Sequence, residues 1–287
     1  MSLKEVKLRI NSVSSTRKIT SAMKLVASSK LRKAQQAIGG MRPYQQRLDG
    51  MMASLAGEIG EEFTTLLAEQ RPVQRAVVVC LSSNSSLCGA FNANAIKAAL
   101  TAVESLRAKG ATVEVLPIGQ KMAEKMKKSG FVFGSANAAM LDKPNYGTIA
   151  TLASEIMERF ENKEIDKVVL VYNHFKNTAT QVITTETLLP VAINDSVTES
   201  KISNFNYIIE PSREELLESL MPKTVALKLY TAILDSLAAE HSARVIAMQT
   251  ATDNADQLLH DLTLQYNKTR QAAITAELLD IVGASFQ

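Results

Sequence analysis

The sequence predicts an α/β domain inserted between two long terminal helices, with the helices paired as an antiparallel coiled coil and the domain at one end of the pair. Three observations carry this. Residues 1–38 and 223–282 contain neither glycine nor proline. Both stretches carry apolar residues in a seven-residue repeat. The segment between them instead alternates short Val-rich runs with helical patterns.

The first helix comes from the heptads. Every seventh residue from Val6 gives Val6, Val13, Thr20, Ala27, Ala34, Met41, Leu48 and Leu55, seven of eight apolar. The companion series is Leu3, Ile10, Arg17, Lys24, Leu31, Ile38, Gln45 and Met52, five of eight apolar. A seam sustained for so long is a coiled-coil pattern, not the stripe of an ordinary globular helix. Gly39, Gly40 and Pro43 weaken a helix, but the heptad phase runs through them, so one kinked helix is predicted over residues 1–58.

The middle, residues 75–210, reads as a Rossmann-like α/β domain. The runs 76–81, 113–118 and 168–172 are short and apolar, as buried strands are. Helical patterns occupy 92–106, 120–129 and 149–160. Strands alternating with helices imply a mainly parallel sheet. The stretch 181–189 after a turn is read as an added antiparallel strand.

The second long helix is predicted over residues 212–287. Ser212 and Glu215 form a capping-box pattern behind Pro211, and Pro222 is read as a helix restart. Its paired series runs from Leu227/Tyr230 through Leu234/Leu237, His241/Arg244, Met248/Ala251, Ala255/Leu258, Leu262/Gln265 and Thr269/Ala272 to Ala276/Leu279, twelve of sixteen apolar. At 1.5 Å per residue the first helix is roughly 85 Å long and the second roughly 110 Å. The second therefore overhangs, over about 270–287. Residues 272–287 carry only two charges, Glu277 and Asp280. A lone helix apolar around most of its girth calls for a partner to bury it.

Composition narrows function. Of the 287 residues 46% are hydrophobic and 21% charged, tryptophan is absent, and no apolar run approaches a membrane span. The first residues lack a signal core and a transit-peptide composition, which suggests a cytoplasmic bacterial protein. Net charge is +3, yet residues 1–50 hold eleven Lys and Arg against Glu5 and Asp49, a net of +9. A basic helical arm on an otherwise acidic chain points to an acidic partner. Nucleic-acid binding, prompted by Lys30-Leu31-Arg32-Lys33, is the alternative, though the arm's only stacking aromatic is Tyr44.

Enzyme motifs are missing. There is no phosphate loop and no dinucleotide fingerprint. The run Ser82-Ser83-Asn84-Ser85-Ser86-Leu87-Cys88-Gly89 could offer hydroxyls and backbone N–H groups to an anion, but it has one glycine and no lysine, so a structural turn is the reading. Cys80 and Cys88 read as reduced thiols, a core cysteine on a strand and a loop cysteine. His174, His241 and His260 have no metal-ligand spacing. No catalytic residue, cofactor or metal site is expected.

Several motifs carry a resemblance. The opening helix has Ile10-Asn11-Ser12-Val13, Thr16-Arg17-Lys18-Ile19-Thr20, Ala22-Met23 and Val26-Ala27-Ser28-Ser29-Lys30, followed by Arg42-Pro43-Tyr44. The last helix has Ala243-Arg244, Ala247-Met248, Ala251-Thr252-Asp253-Asn254-Ala255, Tyr266-Asn267-Lys268, Arg270-Gln271 and Ile274-Thr275-Ala276-Glu277. Over essentially its whole length the chain resembles the γ subunit, the central rotor shaft, of F-type ATP synthases. It departs in having Gly283-Ala284 one position early after Asp280, in having Asn84-Ser85-Ser86 where a charged stretch is usual, and in lacking the two-cysteine insert of chloroplast shafts.

The resemblance implies a non-catalytic rotor turning inside a sleeve of α and β subunits, driven by a membrane ion ring (the c-ring) and joined by an ε subunit. It implies no nucleic acid, and a peripheral place on the cytoplasmic face of a bacterial plasma membrane. It implies β-subunit contacts at Arg17, Met23, Lys24, Arg244, Arg270, Gln271, Thr275 and Glu277, and ring contacts at Tyr207 and Glu210.

Overall fold

The computed structural model describes residues 2–59, 65–131, 137–191 and 209–285. Helix α1 spans Leu3–Ile59, unbroken through Gly39, Gly40 and Pro43. Its start is a capping box the sequence reading missed: Ser2 Oγ accepts the Glu5 N–H at 3.3 Å, and Glu5 Oε2 accepts the Ser2 N–H at 2.8 Å. A 3₁₀ turn at Leu66–Ala68 leads to strand β1, Arg75–Leu81. Then come α2 (Phe91–Ala108), β2 (Thr112–Ile118), α3 (Gln120–Lys128), the short α4 (Ala139–Asp142), α5 (Tyr146–Glu161), β3 (Lys167–Phe175) and β4 (Gln181–Leu189). Helix α6 runs Arg213–Ser285. Ser212 Oγ accepts the Glu215 N–H at 3.2 Å, so the predicted cap forms. Pro222 lies inside α6 instead of at a restart.

The strand order is β2-β1-β3-β4. The first three strands are parallel and β4 is antiparallel to β3, as the residue patterns predict. Alternation in the strands gives the sheet two apolar faces. Ala76, Val78, Cys80, Val113, Val115, Val169 and Val171 face α2 and α3 in one core. Val77, Val79, Leu81, Leu116, Ile118, Val168 and Leu170 share the other core with α5 and with Met52 and Leu55 of α1 and Leu217, Met221, Leu229 and Ile233 of α6. Both faces being covered explains why these strands read as continuous apolar runs.

The chain forms two compact units: residues up to 29 with those from 244 on, and residues 30–243. The terminal helices are antiparallel in the first unit. Arg17 Nη1 pairs with Asp256 Oδ1 at 2.9 Å, and Thr20 Oγ1 meets Thr252 Oγ1 at 2.8 Å. All sixteen residues of the two predicted α1 series are buried or half-buried, so the seam is where the heptads put it.

On α6 the seam departs from the prediction. Leu262 and Thr269 of the predicted pairs are buried or half-buried, but Leu258 and Gln265 are exposed and Leu259 and Tyr266 are half-buried in their place. A straight helix drifts about 20° per heptad against a strict seven-residue repeat, and here the contact line has moved one residue along.

Candidate functional site

The serine-rich loop at the end of β1 is the nearest thing to an anion pocket. Three of its acceptors, on Ser82, Ser83 and Asn84, cap α3. The Gln120 N–H donates to Asn84 Oδ1 at 3.1 Å, the Lys121 N–H to Ser83 O at 3.2 Å, and the Met122 N–H to Ser82 Oγ at 2.9 Å. The Ala123 N–H closes on Gly119 O, so the first turn's donors are satisfied by this loop and its neighbour. Asn92 Oδ1 takes the Ser83 N–H at 3.0 Å, and Ser83 Oγ donates to Ser85 O at 2.6 Å. Gly119, at φ +117°, lies so close that a Cβ there would sit 2.4 Å from Ser82 O. Ser82, Ser83 and Asn84 are thus used at the start of α3, and Ser83 and Asn84 also tie the loop to Asn92 and Ala138. Burial pushes the Cys80 thiol up, which keeps it protonated and inert.

A groove of about 560 Å³ between α2 and β4, lined by Asn94, Lys97, Thr101, Ile183 and Thr185 among others, brings one charged side chain and no acid–base pair. Among the described residues no group of His, Cys, Asp and Glu is placed to hold a metal ion.

What the structure does expose is apolar helix surface. From Arg270 to Val282 every side chain of α6 is exposed. Ile274, Leu278, Leu279, Ile281 and Val282 are 49–66% exposed. The overhang expected from the two helix lengths begins at Arg270, and that is where seam burial ends. Arg270, Gln271, Thr275 and Glu277 all lie on this stretch, with Thr275 Oγ1 donating back to Gln271 O at 2.9 Å. Glu277 and Asp280 interrupt an otherwise uncharged surface beyond Arg270.

A second exposed apolar stripe lies on α1. Ile19, Met23 and Val26, spaced four and three residues apart, are 42–59% exposed and flanked by Lys18 and Lys30. Of these the family resemblance singles out only Met23; the four- and three-residue spacing outside the seam is the signal for the other two. Lys24 and Arg17 are half-buried at the seam's margin, and Arg17 already holds Asp256. Arg244 is half-buried. Glu210 is exposed, and Tyr207 lies outside the described residues.

Two charge groups, one centred on the buried Asp235, also stand on the sheet face that α1 and α6 cover. Asp235 Oδ1 accepts from Arg42 Nη2 at 3.0 Å and its Oδ2 meets His174 Nδ1 at 2.7 Å. Lys228 Nζ lies 3.3 Å from Glu186 Oε2. Beside them, burial raises the Asp49 carboxyl above the usual range, with Lys228 opposing. Burial and the Glu186 charge push the Tyr172 phenol up. Sequence reading treated His174 as a lone histidine, because its partner lies 61 residues away.

Comparison with known proteins agrees with the motifs. The ATP synthase family model matches residues 2–285. The chain is 48% identical over 299 residues to the ATP synthase gamma chain of Bacteroides thetaiotaomicron, covering 100% of this chain and 99% of that one. It is 50% identical over 289 residues to that of Bacteroides fragilis, covering 99% of each, and 46% identical over 287 residues to that of Flavobacterium johnsoniae, covering 99% and 97%. The fold is similar to a chain of the Euglena gracilis mitochondrial ATP synthase rotor, at a TM-score of 0.62 and 17% identity over 95% of this chain and 98% of that one. It is also similar to one in the central stalk and c-ring structure of Tetrahymena thermophila mitochondrial ATP synthase, at 0.56 and 23% over 81% and 99%.

Proposed function

This chain belongs to the ATP synthase gamma-chain family, the central-stalk rotor subunits of F-type ATP synthases, and we propose that it works as a shaft with no active site of its own. The stretch of α6 beyond Thr269 sits inside a sleeve of α and β subunits, which buries its apolar surface. The catalytic sites belong to the β subunits. A shaft without threefold symmetry touches three identical β subunits differently, and so biases each toward a different pre-existing conformation. Turning the shaft then cycles every site through binding, ATP formation and release.

The observation that carries this reading is the apolar run of α6 from Ile274 to Val282, exposed in the isolated chain. Leaving that much apolar surface in water is unfavourable, and surfaces of this kind mark contact with a partner. Arg270, Gln271, Thr275 and Glu277 supply polar contacts to β loops around it. The Ile19, Met23 and Val26 stripe, together with Arg17, Lys24 and Arg244, meets acidic β segments, consistent with the net +9 of residues 1–50. Tyr207 and Glu210 face the c-ring, and an ε subunit binds beside them. We assign the work to three segments: helix 1–58, the α/β foot 75–210, and helix 212–287.

No helix among the described residues is long and apolar enough to cross a membrane. On this reading the protein reaches the cytoplasmic face of a bacterial plasma membrane through its complex. The test is affinity purification of the full chain from its host membranes. Recovery of α, β, ε and ring subunits supports the shaft, and ATP turnover at catalytic rates by the purified chain alone would sink it. Recovery of nucleic acid, with steep salt dependence, would favour the alternative reading of the basic arm.

A further inference from the structure

Helix α6 presents polar side chains to the β3–β4 hairpin at a seven-residue interval. Lys228 Nζ lies 3.3 Å from Glu186 Oε2 and donates to Thr187 O at 3.4 Å. Asp235 holds His174 at 2.7 Å and Arg42 at 3.0 Å. Ser242 Oγ donates to Thr178 O and accepts from Gln181 Nε2 at 3.3 Å. Successive rungs are about 10.5 Å apart along the helix, so the three extend over about 21 Å. They take in the far half of β4, the end of β3 and the turn between the two strands.

Stability alone does not account for these rungs. The Asp235 side chain is 5% exposed, and a carboxylate that buried loses hydration that its ion pair barely returns. Leu229, Ile233 and Leu237 already fix α6 to the sheet by apolar burial. Apolar attraction is non-directional, so by itself it resists turning or sliding of a helix weakly. Hydrogen bonds and ion pairs are directional, and setting register is the best-attested use of buried polar groups. Arg42 extends the middle rung to α1, since its Nη2 donates to both Asp235 and Phe175 O at 3.0 Å.

We propose that Lys228, Asp235 and Ser242 form a register lock that stops α6 from turning or sliding on the β3–β4 hairpin under torque. They are positioning residues, acting on coupling and not on the chemistry of ATP. The proposal rests on the shaft reading above.

The experiment uses the assembled synthase carrying this chain in membrane vesicles, measuring ATP hydrolysis and ATP-driven ion uptake together. Asp235→Asn and Lys228→Glu should each hydrolyse ATP at the parental rate while moving severalfold fewer ions per ATP. Lys228→Glu combined with Glu186→Lys should restore the ratio, whereas a merely stabilising role would lower the yield of assembled complex and leave the ratio unchanged in every variant. If Asp235→Asn does not assemble, the Lys228 and Glu186 exchange decides alone. Parental ion-to-ATP ratios in the single variants, or a reduced ratio that the exchange leaves unrestored, would overturn the lock. A parental complex that moves no ions would instead remove the shaft reading, and the lock with it.

Discussion

Leu262, 3% exposed, is the last fully buried residue of the α6 seam. Truncating a buried leucine leaves a cavity as well as losing transfer energy, so Leu262→Ala should cost about 2–5 kcal/mol in thermal or denaturant unfolding of the chain. Ile10, which heptad reading ranks equally, is only half-buried, and Ile10→Ala should fall below that range. Unchanged melting of Leu262→Ala would mean that the seam carries no load. Gly119 is constrained twice over, by its positive φ and by Ser82 O at 2.4 Å from a would-be Cβ. Gly119→Ala should therefore destabilise by more than about 1 kcal/mol and disturb the start of α3; a neutral variant would show that the loop yields freely.

Asp49 offers a test by pH. Its carboxyl is raised chiefly by burial, so the folded chain holds that proton more tightly than the unfolded one. Below the ordinary carboxylate range the group is neutral in both states and costs nothing. As pH climbs from the ordinary carboxylate range through the raised value, the unfolded chain gives up the proton more readily than the folded one, and stability is lost. Asp49→Asn should melt higher than the parent at pH 7, with the difference closing in acid. A difference that stays constant from acid to neutral pH would rule out titration as its cause.

Among the elements, α1 and α6 show how far a period can be trusted. All of α1's predicted seam is inside because its small residues let α6 come close: Ala27 is 1% exposed. Ala27→Leu should overpack that contact and cost about 1–3 kcal/mol, read as a lower Tm. On α6 one heptad series holds as far as Leu262 and Thr269, but its companion shifts beyond Ala255, where drift carries Leu259 and Tyr266 inward in place of Leu258 and Gln265. Between Thr231 and Glu240 α6 is buried on all sides, so no stripe distinguishes it there. The strands were legible because both sheet faces are covered and each strand is a continuous apolar run. Helix α4 was missed, since four residues hold too little periodicity to read.

For the whole molecule, the exposed end of α6 separates stability from function. Every side chain from Arg270 to Val282 is exposed, so deleting residues 270–287 should remove little of the chain's own packing. The truncated chain should keep the parental Tm while losing its ability to drive coupled ion transport in an assembled synthase. A large fall in Tm would mean that this stretch folds against the chain itself, contrary to the sleeve.

The sequence by itself determined the architecture and the family. Heptads, apolar runs and the motif around Ile274–Glu277 are local patterns, and the physics behind them acts over a few residues. Tertiary structure alone decided which polar groups meet. Asp235 finds Arg42 193 residues away and His174 61 residues away, and Lys228 finds Glu186, because a folded sheet brings together residues whose spacing in the chain carries no trace of the contact. The same holds for the serine-rich loop. As a string it could cradle an anion, but in the fold its acceptors at Ser82, Ser83 and Asn84 take the first N–H groups of α3, while the Ser83 N–H and the Asn84 amide donate to Asn92 and Ala138.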